Sequence, residues 1–417
     1  MNHSENVDHD AVLRARTMLL GSGRLSRSQE VEAYRVLAKV SPAAYLPKLV
    51  QALTSYCYEP GFRNRPDLRI VVHAEQVEAA RALDTSEPQG ARLLCLALHS
   101  YQHALFALGR RAEGLAVCEE LAAVARHSLD LRGAARNGFG GRLAAVLAEE
   151  GRHSEAADVC ALDARAARSG PSFGDLVAWS AALDAAGRHQ EALEVRARLV
   201  DDTRREAEEG SAPRALVVWA LVHRSRMLDA AGRGGEARAD RQEVLALLAR
   251  LARSGDSSDP GDLLARWATL LALSGRAVEP AGSREAPGPP LGHELRDWSN
   301  DTFRAYVDGI PARAAEGDDP PLDTPALDHH RLTLRSALFE VRHPRTYEET
   351  LRPLFDEGVA LARRRPADPS ACARALTDRS TFLVAVERYE EAHADFREAV
   401  ALLDSEAATP TPIVTRT

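Results

Sequence analysis

The chain has 417 residues and a formal charge of −8, with acids and arginines interleaved, so it offers no basic stripe of the kind that tracks a phosphate backbone, and nucleic acid is excluded as its main ligand. Aromatic residues make up only 5%, while Ala, Leu, Arg and Glu dominate, a mixture poor in strand formers and suited to packed helices. Five cysteines (Cys57, Cys95, Cys118, Cys160, Cys372) form no CxxC pair and leave an odd number, as expected of reduced, packed thiols.

Met1 to Asp10 is polar and acidic, unlike a secretory signal, and is expected to be disordered. Apolar runs such as Ala215 to Val222 fall far short of the ~20 residues of a membrane span. A cytoplasmic address with no membrane partner is therefore expected. Helices are expected at Ala11 to Leu20 and Ser28 to Val40, around a Gly21-Ser22-Gly23 break. A third runs on from Ser41-Pro42 to about Tyr58, and a fourth spans Asp67 to Leu83 beyond a Pro-Gly loop.

From Gln89 a turn motif recurs, with starts at Gly109, Gly151, Gly187, Gly232 and Gly275 that lie 42, 36, 45 and 43 residues apart. The form is Gly187-Arg188-His189-Gln190-Glu191-Ala192, and a sixth copy begins at Glu387. Glycine closes the preceding helix, glutamate meets the positive end of the next, and Gly or Ala after it lets two helices approach. Four residues before each start stands a leucine: Leu105, Leu147, Leu183, Leu228, Leu271 and Leu383. Seven before stand Gln102, Ala144, Ser180, Ser225, Ala268 and Ser380. Eleven before, leucine recurs in all but Gly140. These offsets share one helical face, so each first helix should bury a Leu-small-Leu stripe.

Pro280 should spoil the second helix of the fifth copy. Residues 276–292, with Pro280, Pro287, Pro289 and Pro290 among glycines, read as a linker or long loop dividing a repeat array over 11–275 from C-terminal helical repeats over 293–404. A helix is expected from about His293 to Ala314. A break at Gly317 to Pro325 precedes a hairpin of Ala326 to Val341 and Tyr347 to Arg364, and the last hairpin should end by Asp404. Residues 405–417, rich in Thr, Pro and Ala, should be disordered.

This pattern resembles the tetratricopeptide repeat, in a long-helix bacterial variety, on the strength of the leucine and small residue of the first helix, the turn glycine, the acid-Ala pair and aromatics at Tyr101, Trp179 and Trp267. It covers most of 11–275 and 323–404. The resemblance implies an all-α, right-handed solenoid of antiparallel helix pairs whose first helices line a concave face.

Chemistry-bearing clusters are few. His99 and His103, four apart, have metal-ligand spacing but no third ligand at a nearby offset. His329 and His330 are adjacent, so they diverge on a helix. Asn137 to Gly141 neither follows a strand nor carries the Lys-Ser/Thr of a phosphate loop. Cys118 and Cys160, nine residues after their turn starts, fit packing better than reactivity. No catalytic residue, metal or cofactor is expected.

The concave face implied by the resemblance lies 13, 10, 6 and 3 residues before each turn. That gives Leu96, His99, His103 and Phe106, then Gly138, Gly141, Ala145 and Ala148. The next sets are Gly174, Val177, Ala181 and Asp184, then Trp219, Val222, Arg226 and Asp229. A small-residue floor between His/Phe and Trp/Arg/Asp walls suits a bound helix or peptide. The opposing reading is that the groove is occupied by the chain itself. The function expected is a non-catalytic scaffold for a protein or peptide segment. The alternatives are a peptide- or ligand-responsive regulator acting through a separate output protein, and an enzyme with an unrecognised site.

Overall fold

A computed structural model describes residues 9–21, 25–62, 64–127, 141–167, 170–256, 263–309, 324–343, 346–364 and 368–408. Among them are eighteen α-helices, short 3-10 turns and no strand. No helix among the described residues is long and apolar enough to cross a membrane. The chain divides into two compact units: Met1–Val146 with Arg165–Gly170 and Ser299–Asp301, and Leu147–Ala164, Pro171–Trp298 and Thr302–Thr417. The 276–292 stretch lies inside the second. The Gly21–Gly23 break, Gly138, Gly140 and most of both expected tails fall wholly or partly outside the described residues.

In the first unit the helices α1 (His9–Leu20), α2 (Arg27–Val40), α3 (Pro42–Tyr56), α4 (Pro66–Arg81), α5 (Pro88–Ala107) and α6 (Arg111–His127) each pack on the next. Ser26 starts α2 with a reciprocal cap: its hydroxyl accepts from the Gln29 amide at 3.2 Å, and the Gln29 side chain accepts from the Ser26 amide at 3.0 Å. Val31, Leu53, Val77, Leu98, Leu105 and Leu121 belong to one continuous core. Gly141–Glu149 (α7) contributes to this unit as far as Val146.

The turn motif folds alike at four copies. Gly109, Gly151, Gly187 and Gly232 have φ of +71°, +73°, +76° and +73°, the left-handed region open to glycine. The next amide, that of the arginine, donates back to the leucine carbonyl: Arg110 to Leu105, Arg152 to Leu147 and Arg188 to Leu183 at 2.9 Å, and Arg233 to Leu228 at 2.8 Å. The leucine is thus tied to the motif by a backbone bond as well as by its burial. The arginine side chain then grips the motif's glutamate, as in Arg188–Glu191 at 2.7 Å. All six motif leucines are buried, as are all six residues seven positions before the starts.

The second unit holds α8 (His153–Ala166, up to Ala164), α9 (Phe173–Ala185), α10 (His189–Glu208), α11 (Arg214–Ala230), α12 (Gly234–Ser254), α13 (Leu263–Ser274), α14 (Asn300–Asp308, from Thr302), α15 (Thr324–Glu340), α16 (Tyr347–Arg363), α17 (Pro369–Ala385) and α18 (Tyr389–Ala408). Helices α9 to α12 pack in chain order, but the next neighbour of α12 is α18, followed by α17, α16 and α15. Arg238 on α12 pairs with Asp404 on α18 at 3.0 Å. Repeated ion pairs staple two of these hairpins in the same register, Arg224–Asp240 at 2.6 Å and Arg379–Asp395 at 2.7 Å.

The fifth turn copy departs from the others. Gly275 has φ −83°, and Arg276–Val278 forms a single 3-10 turn before the chain becomes extended. Pro280 leaves no second helix, as its missing N–H requires. Lacking a hairpin partner, α13 packs on α9, α11, α15 and α17, the first helices of the surrounding hairpins. The helix expected from His293 begins only at Asn300, because Glu294 and Trp298 are extended on either side of a short 3-10 turn, Leu295–Asp297. The last helix continues past Asp404 to Ala408.

Candidate functional site

The expected groove residues are not an open surface. In the first unit Phe106 and Ala145 are buried, and Gly141, His99 and His103 are half-buried. Arg111 covers the Phe106 ring at 5.2 Å while pairing with Asp301 at 2.8 Å and Ser299 at 3.2 Å. The His99 and His103 rings meet edge to face at 4.6 Å. The buried Arg142 guanidinium donates to His103 Nε2 at 2.7 Å. Burial, then Arg142, pushes His99 down to about 4 and His103 down to about 3, so both are neutral at pH 7. A guanidinium beside the pair opposes a bound cation. Among the described residues no group of three or more His, Cys, Asp or Glu side chains is placed to hold a metal.

In the second unit the offsets do mark one face, and the chain itself fills it. A Cβ on Gly174 would lie 2.1 Å from Glu294 Oε1, and one on Gly292 would lie 2.4 Å from the Ala181 Cβ. Asp184 pairs with Arg276 at 3.4 Å and with His189 at 2.7 Å. Three of the four positions on α9 are therefore in contact with residues 276–294. On α11, buried Trp219 donates from Nε1 to the Thr381 carbonyl at 3.2 Å, and Arg226 pairs with Asp378 at 2.7 Å. From α13, Trp267 Nε1 reaches the Thr381 hydroxyl at 3.2 Å, amid the rings of Tyr347, Phe355 and Phe382. Asp229 is exposed and pairs with Arg241 at 2.5 Å. Ala181 and Trp219, expected to face a ligand, are therefore core positions, Ala181 because the non-helical stretch around Gly292 lies on it and Trp219 because α17 does.

That segment is held by its backbone and by side chains at its two ends. Gly288 N donates to the Glu149 carbonyl at 2.9 Å, and a Cβ on Gly282 would lie 2.4 Å from the same oxygen. Arg276 Nη2 donates to the Leu291 carbonyl at 2.9 Å. The fifth motif's glutamate, Glu279, has left its arginine for Arg331 and Arg335, each at 3.6 Å. Trp298 anchors the far end against Phe303 and Tyr306.

Beneath the segment sits a charged residue that sequence reasoning passed over. Arg196 is 1% exposed, and its Nε and Nη1 have no hydrogen-bond partner among the described residues. Burial pushes its pKa down to about 10. It occupies the position nine after the turn start, where Cys118 and Cys160 stand in earlier repeats and Arg241 in the next. A basic residue at this packing position, twelve after an aspartate in both Asp184/Arg196 and Asp229/Arg241, was the signal available in the sequence. Buried His293 lies near Arg276 and His153, and burial followed by those two groups pushes it down to about 3. Elsewhere, a cavity of about 360 Å³ lined by Gln190, Glu194, Arg224, Arg233 and Asp240 has its arginines paired, Arg224 with Asp240 and Arg233 with Glu236.

The sequence matches no protein-family profile, and no curated protein matches it. Among solved structures, BtubC (BKLC) from P. vanneervenii is similar at 15% identity and a TM-score of 0.39, over 59% of this chain and 94% of that one, a likeness too remote to bear on function. What stands is an all-helical, repeat-like protein whose first-helix face, in its second unit, is occupied by its own chain.

Proposed function

We propose that the chain is a non-catalytic, cytoplasmic scaffold of the tetratricopeptide kind, its hairpins stacked as a right-handed solenoid within each compact unit, which binds a protein or peptide segment on the first-helix face. One observation supports this reading. In the second unit that face accepts an extended stretch through small residues, one carboxylate and a backbone carbonyl, the contacts a separate peptide would use. No catalytic group, cofactor, nucleic acid or membrane enters the proposal. The second reading, a ligand-responsive regulator working through a separate output protein, gains from the same occupancy, since a face filled in cis is a face whose access can be controlled.

The test is affinity capture with the full chain and with Ala181→Leu, followed by reconstitution with the purified candidate. Leucine at 181 fills the seat that Gly292 now takes. Loss of binding with unchanged helical circular dichroism is the expected result. A purified partner held equally by both chains would refute the face assignment. Ala181 and Ala145 are both buried, so urea unfolding of Ala181→Leu accompanies the capture, and Asp184→Asn, at a half-buried position of the same face, replaces it if leucine unfolds the chain.

A further inference from the structure

Asp184 and Asp229 occupy the same place in successive repeats, three residues before the turn, and each has an arginine twelve residues later on the second helix. In the fourth repeat the pair is closed, Arg241 Nη1 to Asp229 at 2.5 Å. In the third it is open. Arg276, from the stretch lying on α9, has taken the Asp184 carboxylate at 3.4 Å, and Arg196 is left buried with Nε and Nη1 unpartnered. A buried guanidinium that feels a carboxylate shared with a second arginine and leaves two N–H groups unbonded is costly, and the cost ends if the intruding arginine leaves. The docked stretch therefore holds its place against a competitor built into the repeat.

We propose that residues 280–298 are an exchangeable cis occupant of the α9 face, held by an arginine exchange at Asp184, and that the trans partner of this face is an extended, glycine- and proline-rich segment carrying an arginine in the place of Arg276. The chemistry follows from the seat. Ala181 admits only the close approach of a glycine backbone, Gly174 leaves the space that the Glu294 carboxylate fills, the Glu149 carbonyl takes an amide at 2.9 Å, and Asp184 selects a cation. Arginine suits that position because it bridges Asp184 and the Leu291 carbonyl at once, as Arg276 does. When the cis stretch lifts, Arg196 closes on Asp184 as Arg241 does on Asp229. An incoming arginine then displaces Arg196 again. The cis stretch, tethered at Arg331 and Arg335 through Glu279, competes at high effective concentration, so the face is closed to weak trans ligands in the wild-type chain.

This deepens the binding reading above and rests on it. Hydrogen exchange of the full chain tests it. In Arg276→Gln, amide exchange over 280–298 should rise about tenfold or more while α9 and α10 stay protected. In Arg196→Met, which removes the competitor, exchange over the same stretch should fall, whereas Arg241→Met should leave it unchanged. A synthetic peptide of residues 275–298 should bind the Arg276→Gln chain saturably and protect α9, and the same peptide with Gln for Arg276 should bind at least about fivefold more weakly. If neither arginine substitution moves exchange of 280–298, or if Arg196→Met speeds it, the arginine exchange is wrong. Should the stretch release as expected and no peptide bind, the exchange stands, while the trans partner and the binding reading fall. If Arg276→Gln does not fold, the Arg196→Met arm alone decides the exchange.

Discussion

Four of the six turn copies and the fifth begin with the same two residues and come to opposite ends. At Gly109, Gly151, Gly187 and Gly232 the chain reverses in the left-handed region, the arginine clamps its own glutamate, and a second helix returns along the first. At Gly275 the turn is right-handed, Pro280 stops the helix, and the two charges separate, Arg276 to Asp184 and Glu279 to Arg331 and Arg335. A repeat motif therefore specifies a hairpin only when its second helix can form. When it cannot, its polar groups become free to dock elsewhere, and the first helix becomes ligand to the face it would have extended.

Acid should break this contrast most severely. His293, in the stretch that follows the fifth turn, is neutral in the fold because burial, Arg276 and His153 depress its pKa to about 3, against 6.5 for the free side chain. A depressed histidine lends stability that is complete above 6.5 and is lost as pH falls toward its folded value, since the open state takes the proton first. Amide exchange over 280–298 should therefore accelerate as pH drops from 6.5 toward 4, once corrected for intrinsic rates, and His293→Gln should flatten that response. His99 and His103 in the first unit should lower Tm over the same range, for the same reason and with the same sign.

Next in size come the leucines, which should not distinguish the turns at all. Leu183 and Leu271 are both buried, so Leu183→Ala and Leu271→Ala should each cost about 2–5 kcal/mol in urea unfolding. A much smaller loss at Leu271 would mean that α13 is held only by Trp267. The smallest effects belong to the turn residue itself. Gly187→Ala should cost about 1–2 kcal/mol because φ is +76°, and Glu387→Gly should gain about 1 kcal/mol because Glu387 sits at φ +61° in the sixth copy. Opposite signs at equivalent positions would establish that the left-handed turn, and not the side chain, sets the energy.

Much of the repeat register was legible. The motif leucines, the small residues on their face, the turn glycines and the break at Pro280 all follow from helical spacing and backbone sterics, which are local. What was not legible is non-local. Helical periodicity tells which face of α12 is apolar and nothing about which helix covers it, so the docking of α18 there could not be read. On α9 and α11 the expected face holds Ala181 and Trp219, and both are buried. The stretch covering Ala181 has no period, and it approaches α9 through the glycine at 292, so no apolar periodicity marks the contact. Arg196 was missed because a lone arginine in an arginine-rich sequence looks like solvent-facing charge until its aspartate is found twelve residues before.

The contact between α12 and α18 joins residues 234–254 to residues 389–408, with all of α13 to α17 lying between them in the chain. On a ribosome, the first unit's α1 to α6 can pack as each helix emerges, since each meets the one just made. The second cannot. The flank of α12 stays uncovered until nearly the whole chain has been synthesised, and closing so long a loop slows the step that ends its exposure. The newborn protein thus passes through a period in which an apolar helix face waits for its partner, and that interval is where its misfolding and its need for a chaperone would concentrate.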